Sequence, residues 1–170
     1  MPAIRPAEVD DVDGIQRVAR RTWHATYDET LGPATVDAQV DEWYADAAVR
    51  DGVEDDEAIY LVATAEDAVV GYAAAGPGEA AADCASLHAI YVHPDHWHDG
   101  IGSRLLDVVS DRLRRRGFDC LRIHVLADND RARRFYEHHG FTQSERQRIE
   151  LAGVTTTEVV YDGPLPTDSA

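Results

Sequence analysis

Lysine is absent from this chain: the 16 basic residues are all arginine, set against 32 acidic residues and a formal net charge of −16. No basic stripe is present to neutralise a run of phosphates, so a nucleic-acid partner is not expected. Cysteine is nearly absent as well. Cys84 and Cys120 have no metal-ligand spacing and make no disulfide framework, which predicts two reduced, partly buried thiols. No apolar run approaches the roughly 18 residues of a membrane span, and the amino terminus lacks the charged-then-apolar pattern of a secretory signal. These absences predict a cytoplasmic protein with no membrane partner. At 170 residues the chain suffices for a single domain with a sizeable core, expected over 1–163, with a short frayed tail at 164–170.

The acidic residues are scattered, as at Asp10, Asp11, Asp13, Asp37, Asp41, Asp107 and Asp111, and do not form one block. A disordered acidic tail is therefore not expected. Lysine-free, aspartate-rich surfaces are similar to those of proteins from salt-loving microbes, where self-repulsion is screened over a Debye length of only ~3 Å at molar salt. Because salt adaptation produces acidity by itself, the acidity does not point to a cationic substrate.

Strand and helix signals alternate along the chain. A short apolar edge at 3–5 precedes Val12, Ile15, Ala19 and Trp23 at helical spacing. Gly32-Pro33 breaks the chain, and a second helix is predicted over 34–48, with Val36, Val40, Trp43 and Ala47 on one side. The acidic run 51–57 reads as a solvated loop. Two strands, 58–65 and 68–76, form a hairpin at Glu66-Asp67, and a loose connection follows over 77–83. A strand over 85–92 leads to a helix over 101–116 whose buried stripe is Ile101, Leu105, Val109 and Leu113, ended by Gly117. Then come a strand over 120–126, a helix capped by Asn129 and ended at Gly140, and a hairpin of strands 141–151 and 154–161. This order predicts an α/β mixed sheet with helices on both faces.

The segment from Val92 to Leu106 is the most informative. It reads as a strand end, a turn and a helix start, with Gly100 and Gly102 clearing side chains from amides that have no intrahelical partner. Such a place holds a phosphate. There is no Gly-Lys-Ser/Thr ending, which argues against a nucleotide P-loop. His93, His96 and His98 crowd the same turn, but nothing gives them a helical register in which to converge, and a solvated loop is expected in place of a metal site.

Val92, Pro94, Gly100 and Gly102 resemble the acyl-CoA motif of the GNAT superfamily of N-acetyltransferases, whose core reads Gln/Arg-x-x-Gly-x-Gly/Ala. A second stretch, Asn129, Ala132, Phe135-Tyr136 and Gly140-Phe141, resembles the family's Asn-x-x-Ala-x-x-Phe-Tyr-x-x-x-Gly-Phe segment. With the amino-terminal Ile4-Arg5, the resemblance spans nearly the whole chain. It departs at Trp97, where the family has Gln or Arg, and at His98-Asp99, where a glycine and a basic residue are usual; Asp99 beside a pyrophosphate is electrostatically unhelpful.

The resemblance implies a mostly antiparallel GNAT-type sheet, acetyl-CoA as cosubstrate without a metal, and an amine acceptor. It implies that Ile90, Tyr91 and Val92 hold the thioester arm where two strands splay. Trp97, His98, Asp99, Gly100, Ile101, Gly102, Ser103 and Asn129 would surround the phosphates and pantetheine. Tyr136 is expected as general acid, since a phenol of pKa ~10 is protonated at neutral pH and can reprotonate a thiolate of pKa ~8.5. His88 is the candidate base, expected on the same strand face as Ile90 and Val92, with water relays, Tyr27, Glu29 or Tyr44 as alternatives. The pattern Thr22-Trp23 to Thr26-Tyr27 is similar to that of members acting on small amines such as polyamines; a peptide amino terminus is the other acceptor class. The family also implies a possible homodimer through the carboxy-terminal strands. A CoA-binding sensor without catalysis is the alternative from a different class.

Overall fold

Val12, Ile15, Val18, Ala19 and Trp23 recur at helical spacing and are all buried in the computed structural model, which holds the long helix α1 (Val12–Leu31) against a sheet. The structure describes residues 2–78, 83–97 and 99–165. The strands are β1 (Ala3–Pro6), β2 (Ile59–Ala65), β3 (Ala68–Pro77), β4 (Cys84–Val92), β5 (Cys120–Leu126), β6 (Thr142–Leu151) and β7 (Val154–Pro164). They form one seven-stranded sheet in the order β1-β2-β3-β4-β5-β7-β6. Every neighbouring pair is antiparallel except β4 and β5. Both predicted hairpin turns, Glu66-Asp67 and Ala152-Gly153, carry two successive positive φ angles, the backbone twist that a two-residue hairpin loop requires.

Helices cover both faces, as expected. On one side α1 packs with α2 (Pro33–Trp43) and α3 (Asp46–Glu54) over Val62, Val69 and Tyr72. On the other, α4 (Ile101–Arg115) and α5 (Asp130–His138) bury Ile101, Leu105, Leu113 and Tyr136 over Leu87, Leu121 and Ile123. No helix among the described residues is long and apolar enough to cross a membrane.

Four expectations change. The helix predicted over 34–48 is two helices broken at Tyr44 and Ala45, and the second of them takes in most of the acidic run read as loop. Tertiary contacts make the break: the Gln16 side-chain amide donates to the Tyr44 carbonyl at 2.7 Å, and the Tyr72 hydroxyl donates to the Tyr44 hydroxyl at 2.7 Å. Past the break Val49 becomes the buried residue and Ala47 is exposed. Cys84 and Cys120 are not free thiols but a disulfide, because the parallel register of β4 and β5 sets them directly opposite one another. At the carboxy terminus β7 includes Pro164, and Leu165 is buried with its N–H donating to the Asp119 carbonyl, so order continues past 163. The loop at 77–83 falls partly, and the end of the tail wholly, outside the described residues.

The fourth change lies in β4 itself. β4 pairs with β5 only from Cys84↔Cys120 to Leu87↔Ile123, and beyond that the two strands part. At the same point β4 bulges against β3: Ala75 faces Leu87 and Ala74 faces Ala89, leaving His88 as the extra residue. The bulge inverts the alternation. Leu87, Ile90 and Val92 pack toward α4 and α5, whereas Ala89 and Tyr91 pack toward α1. His88 stands on the α1 side, its Nε2 3.7 Å from where a Cβ on Gly76 would be, and does not share a face with Ile90 and Val92.

Candidate active site

Where β4 and β5 part, the backbone groups that β4 turns toward β5 beyond residue 87 have no strand partner. Two cavities open there. The first, about 300 Å³, runs between β4 and the amino-terminal ends of α4 and α5. The second, about 140 Å³, lies on the α1 and α2 side. Ile90, Tyr91, Asn129, Ala132 and Tyr136 line both, so the cavities share a wall.

One end of the first cavity is the amino-terminal turn of α4. Gly100 precedes α4 with φ of +79°, a left-handed conformation that glycine adopts without a Cβ penalty, and no side chain caps the helix there. The first amides of α4, at Ile101, Gly102 and Ser103, are the ones without intrahelical acceptors, and all three residues line the cavity. A Cβ on Gly102 would already touch the Phe135 ring at 3.5 Å. Ser103 reaches across to α5, its hydroxyl sharing a 3.1 Å hydrogen bond with His139 Nε2. Trp97 is fixed by its indole N–H, which donates to the Val92 carbonyl at 2.8 Å.

Asn129 caps α5, accepting from the Ala132 N–H at 3.0 Å, and its side-chain amide donates to the Tyr27 hydroxyl at 3.0 Å. It thereby ties α5 to α1. Tyr136 is buried, and burial together with neighbouring Tyr91 pushes its phenol well above the ordinary value, so the proton stays on at neutral pH. Among the described residues its hydroxyl has no hydrogen-bond partner, and Tyr136 lines both cavities.

The second cavity is made of side chains. Trp23, Trp43 and Tyr27 form an aromatic wall, with Trp23 and Trp43 in edge contact at 5.6 Å. Opposite stand His88, His124 and Glu158. His124 Nδ1 pairs with a Glu158 carboxylate oxygen at 3.0 Å, and that bond raises the imidazole pKa against the opposing effect of burial. His88 sits at the rim, partly open to solvent, yet packing of its ring in the pocket wall and the positive charge on His124 hold its pKa below the ordinary 6.5. It is neutral at pH 7.

Of the residues singled out from sequence, the structure gathers Ile90, Tyr91, Val92, Trp97, Gly100, Ile101, Gly102, Ser103, Asn129 and Tyr136 around the first cavity. Asp99 is exposed and outside its lining, 3.7 Å from His96 Nδ1, and His98 lies outside the described residues. His88 belongs to the second cavity. Sequence reasoning missed His124, Glu158 and Arg131. His124 shares a strand face with buried Leu126 on β5, and Arg131 stands two residues after the capping Asn129, so each had a local signal; Glu158 had none. Among the described residues no group of three His, Cys, Asp or Glu side chains converges as a metal site.

The family model described as the Acetyltransferase (GNAT) family matches residues 18–141. The uncharacterized N-acetyltransferase YuaI of Bacillus subtilis is 24% identical, over 96% of this chain and 94% of its own length. The spermidine N(1)-acetyltransferase of Thermoplasma acidophilum is 23% identical, over 81% of this chain and 86% of its own. The ribosomal protein bS18-alanine N-acetyltransferase of Escherichia coli is 38% identical over a shorter stretch, 39% of this chain and 45% of its own. Among solved structures, the PaiA N-acetyltransferase of Thermoplasma acidophilum in complex with coenzyme A superposes with a TM-score of 0.84 at 20% identity, covering 96% of this chain and 99% of that one. The splayed parallel pair, the glycine-opened helix start and the Asn-capped helix that follows are thus those of a known enzyme family: this chain is a member of the GNAT acetyltransferases.

Proposed function

We propose that this protein transfers the acetyl group of acetyl-CoA to a primary amine by direct attack in a ternary complex, with acetyl-CoA in the first cavity and the amine in the second. One observation carries the reading: a protonated tyrosine, unpartnered at its hydroxyl among the described residues, stands in the wall between two cavities of different chemistry. The first cavity suits CoA because its unpartnered helix amides and cleared glycines fit a pyrophosphate, and its apolar wall of Ile90, Val92 and Phe135 fits a pantetheine arm. Acetyl-CoA supplies the activated thioester. The chain supplies position and protons: backbone groups of β4 beyond residue 87, which have no partner on β5, hold the thioester arm, their N–H donors polarising its carbonyl.

As the carbon–sulfur bond breaks, Tyr136 gives its Oη proton to the departing sulfur and regains one, directly or through water, from the attacking nitrogen, which sheds its second proton as the amide forms. Burial weakens the phenol as an acid, but the same dry surroundings make the thiolate more basic, so the transfer stays matched. His88, neutral at pH 7, takes the proton that an ammonium acceptor must lose, directly or through water. The aromatic wall with the Glu158 carboxylate suits an amine that arrives as a cation. Spermidine and a protein alanine, the acceptors in the names of two relatives, both offer an amine nitrogen.

The test is release of free CoA thiol with a panel of primary amines, including spermidine and an alanine-initiated peptide, in molar KCl, where a lysine-free acidic surface is best screened. Turnover is expected to fall at least ~10-fold in Tyr136→Phe. Thermal stabilisation by acetyl-CoA without turnover on any amine would favour a sensor instead. No binding of CoA at all would overturn both readings.

A further inference from the structure

The loop before α4 lacks the side-chain cation that the family motif carries, since Trp97 occupies that place and exposed Asp99 follows it. In a chain of net charge −16, phosphates approaching α4 are repelled by the molecule as a whole and attracted by its helix amides. The structure brings a cation from another element. Arg131, in the first turn of α5, lays its guanidinium over the Trp97 ring, with Cζ 3.8 Å from the ring centroid. Both residues line the first cavity beside Gly100, Ile101 and Gly102.

The geometry leaves Arg131 ready to bind. Stacking uses the face of the guanidinium, so its N–H groups, which lie in the plane, stay free for a bidentate contact with an anion. Among the described residues no carboxylate pairs with it, whereas Arg5, Arg20 and Arg122 are all engaged by carboxylates. The indole is itself pinned through its N–H to the Val92 carbonyl, so the platform under the guanidinium is fixed to the end of β4. A contact of this kind also persists at high salt, which screens distant charges far more than touching ones.

We propose that Arg131, held against Trp97, binds the pyrophosphate of CoA at the start of α4 and replaces the cation missing from the loop. This rests on the acetyl-CoA reading above. Dissociation constants would be measured by calorimetry for CoA, dephospho-CoA and pantetheine on wild type, Arg131→Gln, Arg131→Lys, Trp97→Leu and the double variant. Arg131→Gln is expected to weaken CoA and dephospho-CoA alike, by about 10- to 100-fold, the range of one charge-assisted hydrogen bond, and to leave pantetheine unchanged. Arg131→Lys should recover part of the loss. On the Trp97→Leu background the same change should cost less than in wild type, because the two side chains act as a unit.

An unchanged CoA affinity in Arg131→Gln would overturn the proposal. So would a loss confined to CoA, which would assign Arg131 to the 3′-phosphate, or an equal loss for pantetheine, which would make its role structural. Failure of the wild type to bind CoA would instead overturn the acetyl-CoA reading.

Discussion

The two cavities that meet at Tyr136 are made of different materials: the first mainly of helix amides, glycines and apolar side chains, with Arg131 stacked on Trp97, the second of aromatic rings, two imidazoles and a carboxylate. Backbone amides do not titrate and an arginine stays charged at any ordinary pH, so the first cavity can bind the same group over a wide range of conditions. Side chains can be exchanged one at a time, so the second can change its ligand without disturbing the fold. A transferase that uses one donor and selects one acceptor needs both kinds of wall. Tyr136 and Tyr91 are the titratable residues that line both cavities, and of the two Tyr136 stands within α5, in the wall the cavities share.

Changes that act on one cavity alone test that division. His88→Gln should have the largest effect, lowering kcat/KM for the amine by about 10²-fold at pH 7 while the dissociation constant of CoA stays put. In wild type, kcat/KM should climb as pH rises through the His88 pKa, which lies below 6.5, because the protonated ring cannot accept the amine proton. The variant should lose that inflection, and a retained one would assign the base elsewhere. Gly102→Val comes next. A Cβ there already touches Phe135, so the branched side chain would project into the space before the α4 amides, and a ~10- to 100-fold weaker affinity for CoA is expected in calorimetry. A comparable rise in the dissociation constant of the amine would show that the cavities are not independent. The smallest effect is expected of Glu158→Gln, which removes a partly exposed charge from the amine side and should raise only the amine KM, by about 2- to 5-fold.

Much of the first cavity could be read in advance because its parts are contiguous. Gly100 to Ser103 form one helix start, and Asn129 to Tyr136 one capped helix, so spacing alone reported the local geometry. The second cavity draws on α1, α2, β4, β5 and β7, and no local pattern links Trp43, His88, His124 and Glu158. The face of His88 cannot be read from alternation, which holds only while pairing is regular, and the bulge against Ala74 and Ala75 reverses it. The break at Tyr44 leaves no local mark, because Val36, Val40, Trp43 and Ala47 keep helical spacing straight through it, while the contacts from Gln16 and Tyr72 that stop the helix come from elsewhere in the fold.

The sequence by itself determined the succession of the seven strands, the two faces of the sheet, the hairpin turns and the glycine-opened helix start, all of which follow from interactions within a few residues. Only the tertiary structure decided that Cys84 meets Cys120, that Arg131 lies over Trp97, and that His88 faces the aromatic pocket. Each depends on the register or approach of elements distant along the chain, which the packed core selects as a whole and no short stretch encodes.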